Sequence, residues 1–97
     1  MEKKRGVYML RCGDGSLYTG WAADADARLE LHRQGKGAKY TRGRSPLTMV
    51  YFFPCDDRGE ALKKEYAIKQ LSHEEKLALI ASAENALGAE EAQTDEK

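Results

Sequence analysis

The sequence has few cysteines and no long apolar run. Its two cysteines, Cys12 and Cys55, lack CxxC spacing and are too few for the disulfide framework of a small secreted domain. No stretch of about 18 apolar residues occurs, so no transmembrane helix is predicted. The apolar run from Gly6 to Leu10 is interrupted by Arg11, which argues against a signal peptide. We therefore expect two free thiols and a cytoplasmic protein.

The chain is also short for a protein that encloses a cofactor. Its 97 residues suit one domain, and a chain of this size buries only about 60–65% of the surface that it exposes when unfolded. A shallow surface site is therefore expected. No internal repeat occurs, and the content of 41% hydrophobic and 33% charged residues is typical of a globular domain. We predict a single domain over residues 1–87 and an acidic, disordered tail over residues 88–97.

Basic and acidic residues are unevenly distributed, although the formal net charge is zero. Residues 1–80 contain 15 Lys and Arg residues against 11 Asp and Glu residues, whereas residues 81–97 contain one against five. Between Arg28 and Arg44 there are six basic residues and a single acidic one, Glu30. A polyanion meets local charge rather than overall charge, so this segment predicts a basic binding surface.

Apolar runs and turn signals predict the element order β-β-α-β-α-α, an α+β fold with helices packed on a small sheet. The Asp14-Gly15 turn lies between two runs of strand-forming residues, which is typical of a β-hairpin. The apolar run of the third strand suggests a central strand covered on both faces. The predicted elements are strands over 6–12, 17–21 and 47–53 and helices over 25–34, 58–71 and 73–87, the last one ending at Gly88.

Arg28 and His32 lie four residues apart on the first predicted helix and therefore share one face. An arginine can hold a phosphate through two hydrogen bonds, and a histidine can transfer a proton near neutral pH. The pair is therefore a candidate phosphate site. A solvated polar helix face is the alternative.

Glu65 falls on the predicted apolar stripe of the next helix, among Ala61, Leu62 and Ile68. A carboxylate that faces a core needs a partner or a metal ion. A single carboxylate that retains water suits Mg²⁺ better than zinc, which prefers several nitrogen or sulfur ligands. An ion pair with Lys69, one turn later, is the alternative to metal binding.

The segment from Gly35 to Arg44 interleaves basic residues, glycines and one aromatic residue. Glycines let the backbone approach a phosphate closely, and Tyr40 offers a stacking face or a hydroxyl. A flexible solvated loop is the alternative. The residues predicted to bind nucleic acid here are Lys36, Lys39, Arg42 and Arg44.

Tyr8 and Tyr18 lie in the two hairpin strands, where tyrosine is common for structural reasons alone. Their neighbours make them informative, because Gly6-Val7-Tyr8 and Tyr18-Thr19-Gly20 resemble the paired tripeptides of the GIY-YIG nuclease superfamily. The resemblance extends from about Gly6 to Ile80 and is to the small stand-alone bacterial members of the YhbQ/YazA type. The further residues that follow in the order used by that superfamily are Arg28, His32, Tyr40 and Glu65.

This resemblance implies a three-stranded antiparallel sheet flanked by helices, and hydrolysis of DNA phosphodiester bonds with one divalent metal ion. It implies that Glu65 anchors Mg²⁺ or Mn²⁺ and that Arg28 clamps the phosphate. Tyr8, assisted by Tyr18 or His32, would deprotonate the attacking water. Tyr40 would contact the nucleophile or the phosphate.

The resemblance also implies a role in DNA repair or recombination, on a substrate such as single-stranded or branched DNA, with targeting by a partner protein or by a DNA structure. A non-catalytic nucleic-acid-binding module with the same fold is the alternative. One departure from the superfamily pattern bears on this choice. Many of its nucleases have an asparagine in the last helix, whereas the only asparagine here, Asn85, comes later in the chain.

Overall fold

The hairpin forms where the sequence predicts it. The computed structural model describes residues 4–87, so the predicted acidic tail lies outside the described residues. Strand β1 (Gly6–Arg11) pairs antiparallel with β2 (Leu17–Ala22). In the connecting turn, the Asp14 carboxylate accepts hydrogen bonds from the backbone N–H (3.0 Å) and the hydroxyl (2.6 Å) of Ser16. The turn thus uses the side-chain chemistry for which Asp is favoured at such positions.

Strand β1 is the central strand of the sheet, whose order is β2-β1-β3. Strand β3 (Thr48–Pro54) pairs antiparallel with the other side of β1, so the sheet has three antiparallel strands, as the resemblance implied. The prediction that the third strand is central is wrong, because β3 lies at an edge. Its residues Thr48 to Val50 are only partly buried, whereas β1 is buried over 6–10. An edge strand also accommodates Pro54, which cannot donate a ladder hydrogen bond.

Each helix begins after a side-chain cap. Asp24 accepts a hydrogen bond from the Ala27 N–H at the start of α1 (Ala25–Arg33), and Asp57 accepts one from the Glu60 N–H at the start of α2 (Arg58–Lys69). Ser72 and Glu75 form a reciprocal capping box at the start of α3 (His73–Ile80). These caps satisfy backbone donors that a helix leaves free, and they confirm the three predicted starts.

The helices cover both faces of the sheet. Alternate residues of a strand point to opposite faces, so β1 supplies side chains to two separate cores. The first core combines Tyr8 and Leu10 with residues of α1, Ala25 and Leu29. The second combines Val7 and Met9 with residues of α2, Ala61 and Ile68. The fold is therefore α+β, as predicted. No helix among residues 4–87 is long and apolar enough to cross a membrane, and Cys12 and Cys55 are both free.

The last helix is shorter than predicted, because it ends at Ile80 rather than at Leu87. The chain then returns to the outer edge of β3. The Asn85 side chain accepts a hydrogen bond from the Phe52 N–H (3.1 Å) and donates to the carbonyl oxygens of Val50 (2.8 Å) and Ile80 (2.9 Å). The Ala86 N–H donates to the Phe52 carbonyl at 2.8 Å. These bonds cover the unpaired backbone of an edge strand, and they outweigh the local helix preference of the segment.

We expect Asn85→Ala to lower the free energy of unfolding by about 1–3 kcal/mol, because buried backbone groups lose their hydrogen-bond partner. Asn85 is only 6% exposed, so water cannot readily replace the amide. Urea denaturation followed by circular dichroism measures the change. Gln70→Ala is the matched control, since Gln70 is an exposed carboxamide at the end of α2. Equal stability of the two variants would contradict a structural role for Asn85.

Candidate functional site

Three rings meet beside the hairpin, and all three come from residues that the sequence singled out. The ring centroids of Tyr8 in β1 and Tyr18 in β2 are 6.3 Å apart. The His32 ring of α1 lies 5.9 Å from that of Tyr8 and 5.2 Å from that of Tyr18. Tyr40 adds a fourth ring, stacked on Tyr18 at 5.9 Å with an interplanar angle of 23°. The four predicted rings therefore form one aromatic cluster.

Gly20 makes room for this cluster. It lies opposite Tyr8 in the β1–β2 register, and a Cβ atom at position 20 would lie 2.7 Å from the Tyr8 hydroxyl oxygen and 3.1 Å from the Tyr18 ring. The Tyr8 ring thus passes directly over the backbone of β2. This contact gives a physical reason for the glycine of the second tripeptide.

His32 is buried, with 2% of its surface exposed, and is hydrogen-bonded at both ring nitrogens. Nε2 lies 2.9 Å from the Tyr8 hydroxyl oxygen, and Nδ1 lies 2.9 Å from the hydroxyl oxygen of Thr41. The Ala38 N–H also donates to Nδ1, at 3.2 Å. A Cβ atom at Gly37 would lie 2.2 Å from Nδ1, so only glycine lets the loop pass this close to the ring. His32 is therefore not part of a solvated helix face.

Arg28 lies one turn before His32 on α1 and is exposed. Burial is the main cause that raises the pKa of Tyr8 above its ordinary value, and the neighbouring Tyr18 adds to it, whereas Arg28 acts in the opposite sense. Burial, followed by the charge of Arg28, lowers the pKa of His32. Near neutral pH the protein therefore holds a neutral phenol and a neutral imidazole beside an exposed cation.

Glu65 lies on α2 with its side chain 17% exposed, and its Oε2 atom is 2.9 Å from Lys69 Nζ. This is the ion pair that the sequence offered as the alternative to a metal. The predicted stripe is wrong at Leu62, which is 46% exposed, whereas Ala61 and Ile68 are buried. Burial is the main cause of the raised pKa values of Tyr8 and Tyr18, and the negative charge of Glu65 adds to both. The carboxylate therefore lies within electrostatic range of the aromatic cluster.

The residues that could hold a metal ion are few. Within residues 4–87, no three His, Cys, Asp or Glu side chains group together as a metal site. Glu65 is the carboxylate whose charge acts on Tyr8. One carboxylate is enough for Mg²⁺ or Mn²⁺ when water and substrate phosphate supply the other oxygens, but it is not enough for zinc.

The basic loop, residues 35–44, contains two kinds of basic residue. Arg44 forms an ion pair with Asp14, donates from Nε to the Tyr40 carbonyl at 2.6 Å, and lies 4.3 Å from the centroid of the Tyr40 ring. It therefore joins the loop to the hairpin turn. Lys36, Lys39 and Arg42 are exposed and form no ion pair within the described part of the chain. These three loop side chains are therefore free to meet an incoming polyanion, whereas Arg44 already has partners within the protein.

Sequence reasoning missed Thr41, which is 1% exposed and hydrogen-bonded to His32. It lies in a short 3₁₀ turn (Lys39–Thr41), nine residues beyond the histidine. Neither helical nor strand periodicity relates the two positions. The burial of a polar residue inside a basic loop follows only from the tertiary structure.

We expect the free energy of unfolding to decrease as the pH falls below 6.5, the ordinary pKa of histidine. The folded protein protonates His32 only at lower pH than the unfolded chain does, so unfolding takes up a proton in this window. Urea denaturation at several values between about pH 8 and pH 5 measures the dependence. His32→Gln should reduce the slope, and His73→Gln controls for loss of the exposed second histidine. An unchanged slope in His32→Gln would contradict the low pKa.

Comparison with known proteins identifies relatives over most of the chain. The GIY-YIG catalytic domain matches residues 4–78. A UPF0213 protein of Oceanobacillus iheyensis is 50% identical over 80 residues, which cover 82% of this chain and 93% of the relative. A UPF0213 protein of Staphylococcus aureus is 51% identical over 74 residues, covering 76% of this chain and 90% of the relative.

Solved structures agree with the observed fold. The solution NMR structure of a UPF0213 protein from Bacillus halodurans is 43% identical, covers 92% of both chains and superposes with a TM-score of 0.58. That of a protein from E. faecalis is 36% identical, covers 80% of this chain and 85% of its own, and has a TM-score of 0.53. The matched domain, the paired tripeptides and the three-stranded sheet together show that the chain belongs to the GIY-YIG family, whose catalytic domain is a nuclease fold.

Proposed function

We propose that the protein is a divalent-metal-dependent endonuclease that hydrolyses DNA phosphodiester bonds. The observation that carries this proposal is the convergence of Tyr8, Tyr18 and His32, with Arg28 and Glu65 close enough to act on Tyr8 electrostatically. The arrangement combines a cation for the phosphate, a carboxylate for a metal ion, and a hydroxyl–imidazole pair for proton transfer. GIY-YIG nucleases generally use a divalent metal.

Arg28 is proposed to hold the scissile phosphate. Its guanidinium is exposed, so a phosphate can reach it without rearrangement of the core. Two parallel hydrogen bonds from a guanidinium match two phosphate oxygens, which fixes the position of the phosphorus atom. The same positive charge favours the ionised form of Tyr8.

Glu65 is proposed to hold Mg²⁺ or Mn²⁺, which supplies stabilisation of the negative charge on the phosphate and on the leaving oxygen. The carboxylate fits this task because it is largely buried and its ion-pair partner, Lys69, is about half exposed. A long, half-exposed lysine can move away at little cost. Neutralising Glu65 also lowers the pKa of Tyr8, because the charge of Glu65 is one of the causes that raise it.

Tyr8 is proposed to take the proton of the attacking water, with the neighbouring Tyr18 and His32 supporting it. Its hydroxyl oxygen lies 2.9 Å from His32 Nε2, and Arg28 opposes the burial that keeps the phenol protonated. Tyr40 is proposed to act through its hydroxyl rather than as a stacking platform. Its ring already contacts the Tyr18 ring and the Arg44 guanidinium.

The proposed nucleic-acid interface consists of Lys36, Lys39 and Arg42, with Arg44 holding the loop that carries them. Contacts of this kind bind phosphates and carry no sequence information. They suit a substrate recognised by its structure, such as single-stranded or branched DNA in repair or recombination. We propose that a partner protein supplies the targeting.

A second candidate is a nucleic-acid-binding module that does not cleave. Two observations favour it. Glu65 is paired with Lys69, and the only asparagine of the chain is engaged with the backbone of β3 and α3. This candidate predicts DNA binding that does not respond to divalent metal.

We expect Glu65→Gln to reduce Mg²⁺- or Mn²⁺-dependent cleavage by at least about 100-fold, because a metal ion contributes several kcal/mol of charge stabilisation. DNA affinity should change little. Labelled single-stranded, duplex and branched DNA, each with Mg²⁺, Mn²⁺ or EDTA, provide the assay. Glu60→Gln, an exposed carboxylate on the same helix, is the matched control. Arg28→Ala should weaken both binding and cleavage.

Cleavage by Glu65→Gln at the wild-type rate would remove Glu65 from the metal site. Binding without cleavage by the wild-type protein, in the presence of either metal, would favour the binding module.

Replacement of Lys36, Lys39 and Arg42 by Gln should weaken DNA binding and flatten its salt dependence. Each lost phosphate contact reduces the slope of log K against log salt by about 0.7–0.9, so the triple variant should lose about 2–3. Fluorescence anisotropy at several salt concentrations measures the slope. Replacement of Lys63 and Lys76, on α2 and α3, controls for charge lost elsewhere. Equal slopes in the two variants would remove the loop from the interface.

A further inference from the structure

The hydrogen bonds around His32 indicate which of its two ring nitrogens carries the proton. Nδ1 has two neighbours, the Ala38 N–H at 3.2 Å and the Thr41 hydroxyl at 2.9 Å. The Thr41 hydroxyl is also 2.9 Å from the Ala38 carbonyl oxygen. The single proton of the Thr41 hydroxyl can be donated either to Nδ1 or to the Ala38 carbonyl oxygen, but not to both. Which of the two accepts it depends on whether Nδ1 itself carries a proton.

The Ala38 N–H has a fixed role in this network, because a backbone N–H can only donate. It needs Nδ1 as an acceptor, and Nδ1 can accept only when it carries no proton. The Thr41 hydroxyl can then donate to Nδ1 as well. The Ala38 carbonyl still has a partner, because it accepts from the Thr41 N–H at 3.2 Å. With Nδ1 unprotonated, each of these groups of Ala38 and Thr41 keeps a hydrogen bond.

The opposite tautomer leaves this network incomplete. A proton on Nδ1 would donate to the Thr41 oxygen, and the Thr41 hydroxyl would donate to the Ala38 carbonyl. The Ala38 N–H would then point at another N–H group 3.2 Å away and lose its acceptor. A partly buried donor that loses its acceptor is disfavoured. The loop is held in this position, because Gly37 packs directly against Nδ1.

We propose that Thr41, together with the Ala38 N–H, is a positioning residue that keeps the proton of neutral His32 on Nε2. His32 then donates a hydrogen bond to the Tyr8 hydroxyl oxygen at 2.9 Å, and it does not accept the Tyr8 proton. The importance of this arrangement for cleavage rests on the proposed nuclease function. The tautomer itself does not depend on that function.

With its proton on Nε2, His32 acts on Tyr8 as a hydrogen-bond donor. A donor at 2.9 Å stabilises the phenolate oxygen and leaves the Tyr8 O–H bond free to turn away from the imidazole. When Tyr8 ionises, its proton would leave to water rather than to His32, which remains neutral. Tyr8 can then take a proton from the attacking water, which restores the phenol. Burial and the charge of Arg28 also disfavour a second proton on the imidazole.

The test is the nitrogen NMR spectrum of the ¹⁵N-labelled full chain without DNA. Long-range ¹H–¹⁵N correlations distinguish a protonated ring nitrogen from an unprotonated one, and His73→Gln assigns the signals of His32. We expect Nδ1 of the wild-type protein to be unprotonated above pH 7. A proton on Nδ1 would overturn the proposal, whatever the activity of the protein.

Substitution of Thr41 tests its part in holding the tautomer. Thr41→Val should move the His32 signals toward a mixture of tautomers and lower kcat for DNA cleavage by about 10- to 100-fold, as loss of an orienting partner does, with little change in KM. Thr41→Ser should restore both. Thr19→Val is the matched control, since Thr19 is buried and its hydroxyl has no partner among the described residues. Wild-type signals in Thr41→Val would overturn the role of Thr41.

The two proposals can fail separately. A wild-type protein that shows the Nε2–H tautomer and cleaves no DNA would overturn the nuclease function and support the tautomer. If Thr41→Val does not fold, the spectra of the wild-type protein and of Thr41→Ser still show which ring nitrogen of His32 carries the proton. A proton on Nδ1 in either of them would overturn the proposal, and unprotonated Nδ1 in both would support it.

Discussion

The hydroxyl of Tyr8 is a buried polar group that needs a hydrogen-bond partner, and the position of the first helix depends on supplying that partner. Tyr8 lies in the central strand and belongs to the core that α1 covers, where an unpaired hydroxyl would be costly. His32 provides the partner from α1, and Gly20 leaves the space that the ring needs. The same hydrogen bond ties the first helix to the sheet. A requirement of packing thus places the imidazole within hydrogen-bonding distance of the phenol that is proposed to take the proton of the attacking water.

Around this neutral pair, charged groups of opposite sign have opposite effects. Arg28 favours the ionised form of Tyr8, and Glu65 disfavours it. A site with this balance responds to its ligands, because a cation bound to Glu65 removes the unfavourable charge while a phosphate bound to Arg28 screens the favourable one. In the proposed function, a bound metal ion and a bound phosphate would therefore change how readily Tyr8 ionises.

Local sequence patterns predicted the helices and strands, whereas contacts between residues far apart in the chain could not be predicted from such patterns. Asp24, Asp57 and Ser72 are short-range caps, and each starts a helix where the pattern indicated.

The position of β3 at an edge was missed, because an apolar run shows that a strand is covered without showing which strands flank it. The early end of α3 was missed for a related reason. Asn85 pairs with a strand more than thirty residues earlier, and no local pattern carries that contact. At the site, the order of motifs indicated Tyr8, Tyr18, Arg28 and His32, whereas Thr41 required the folded loop.

The basic loop performs two tasks that its composition does not separate. Thr41 and Gly37 face His32, and Arg44 fastens the loop to the hairpin turn through Asp14 and the Tyr40 ring. The Gly13 N–H, which donates to the Arg44 carbonyl at 2.6 Å, adds a second tie. Lys36, Lys39 and Arg42 are exposed on the same segment. Because one short loop both orients the imidazole and presents the cations, a phosphate backbone bound by those cations lies on the segment that holds the histidine. In the proposed function, DNA held by those cations would therefore act on the same segment that contacts His32.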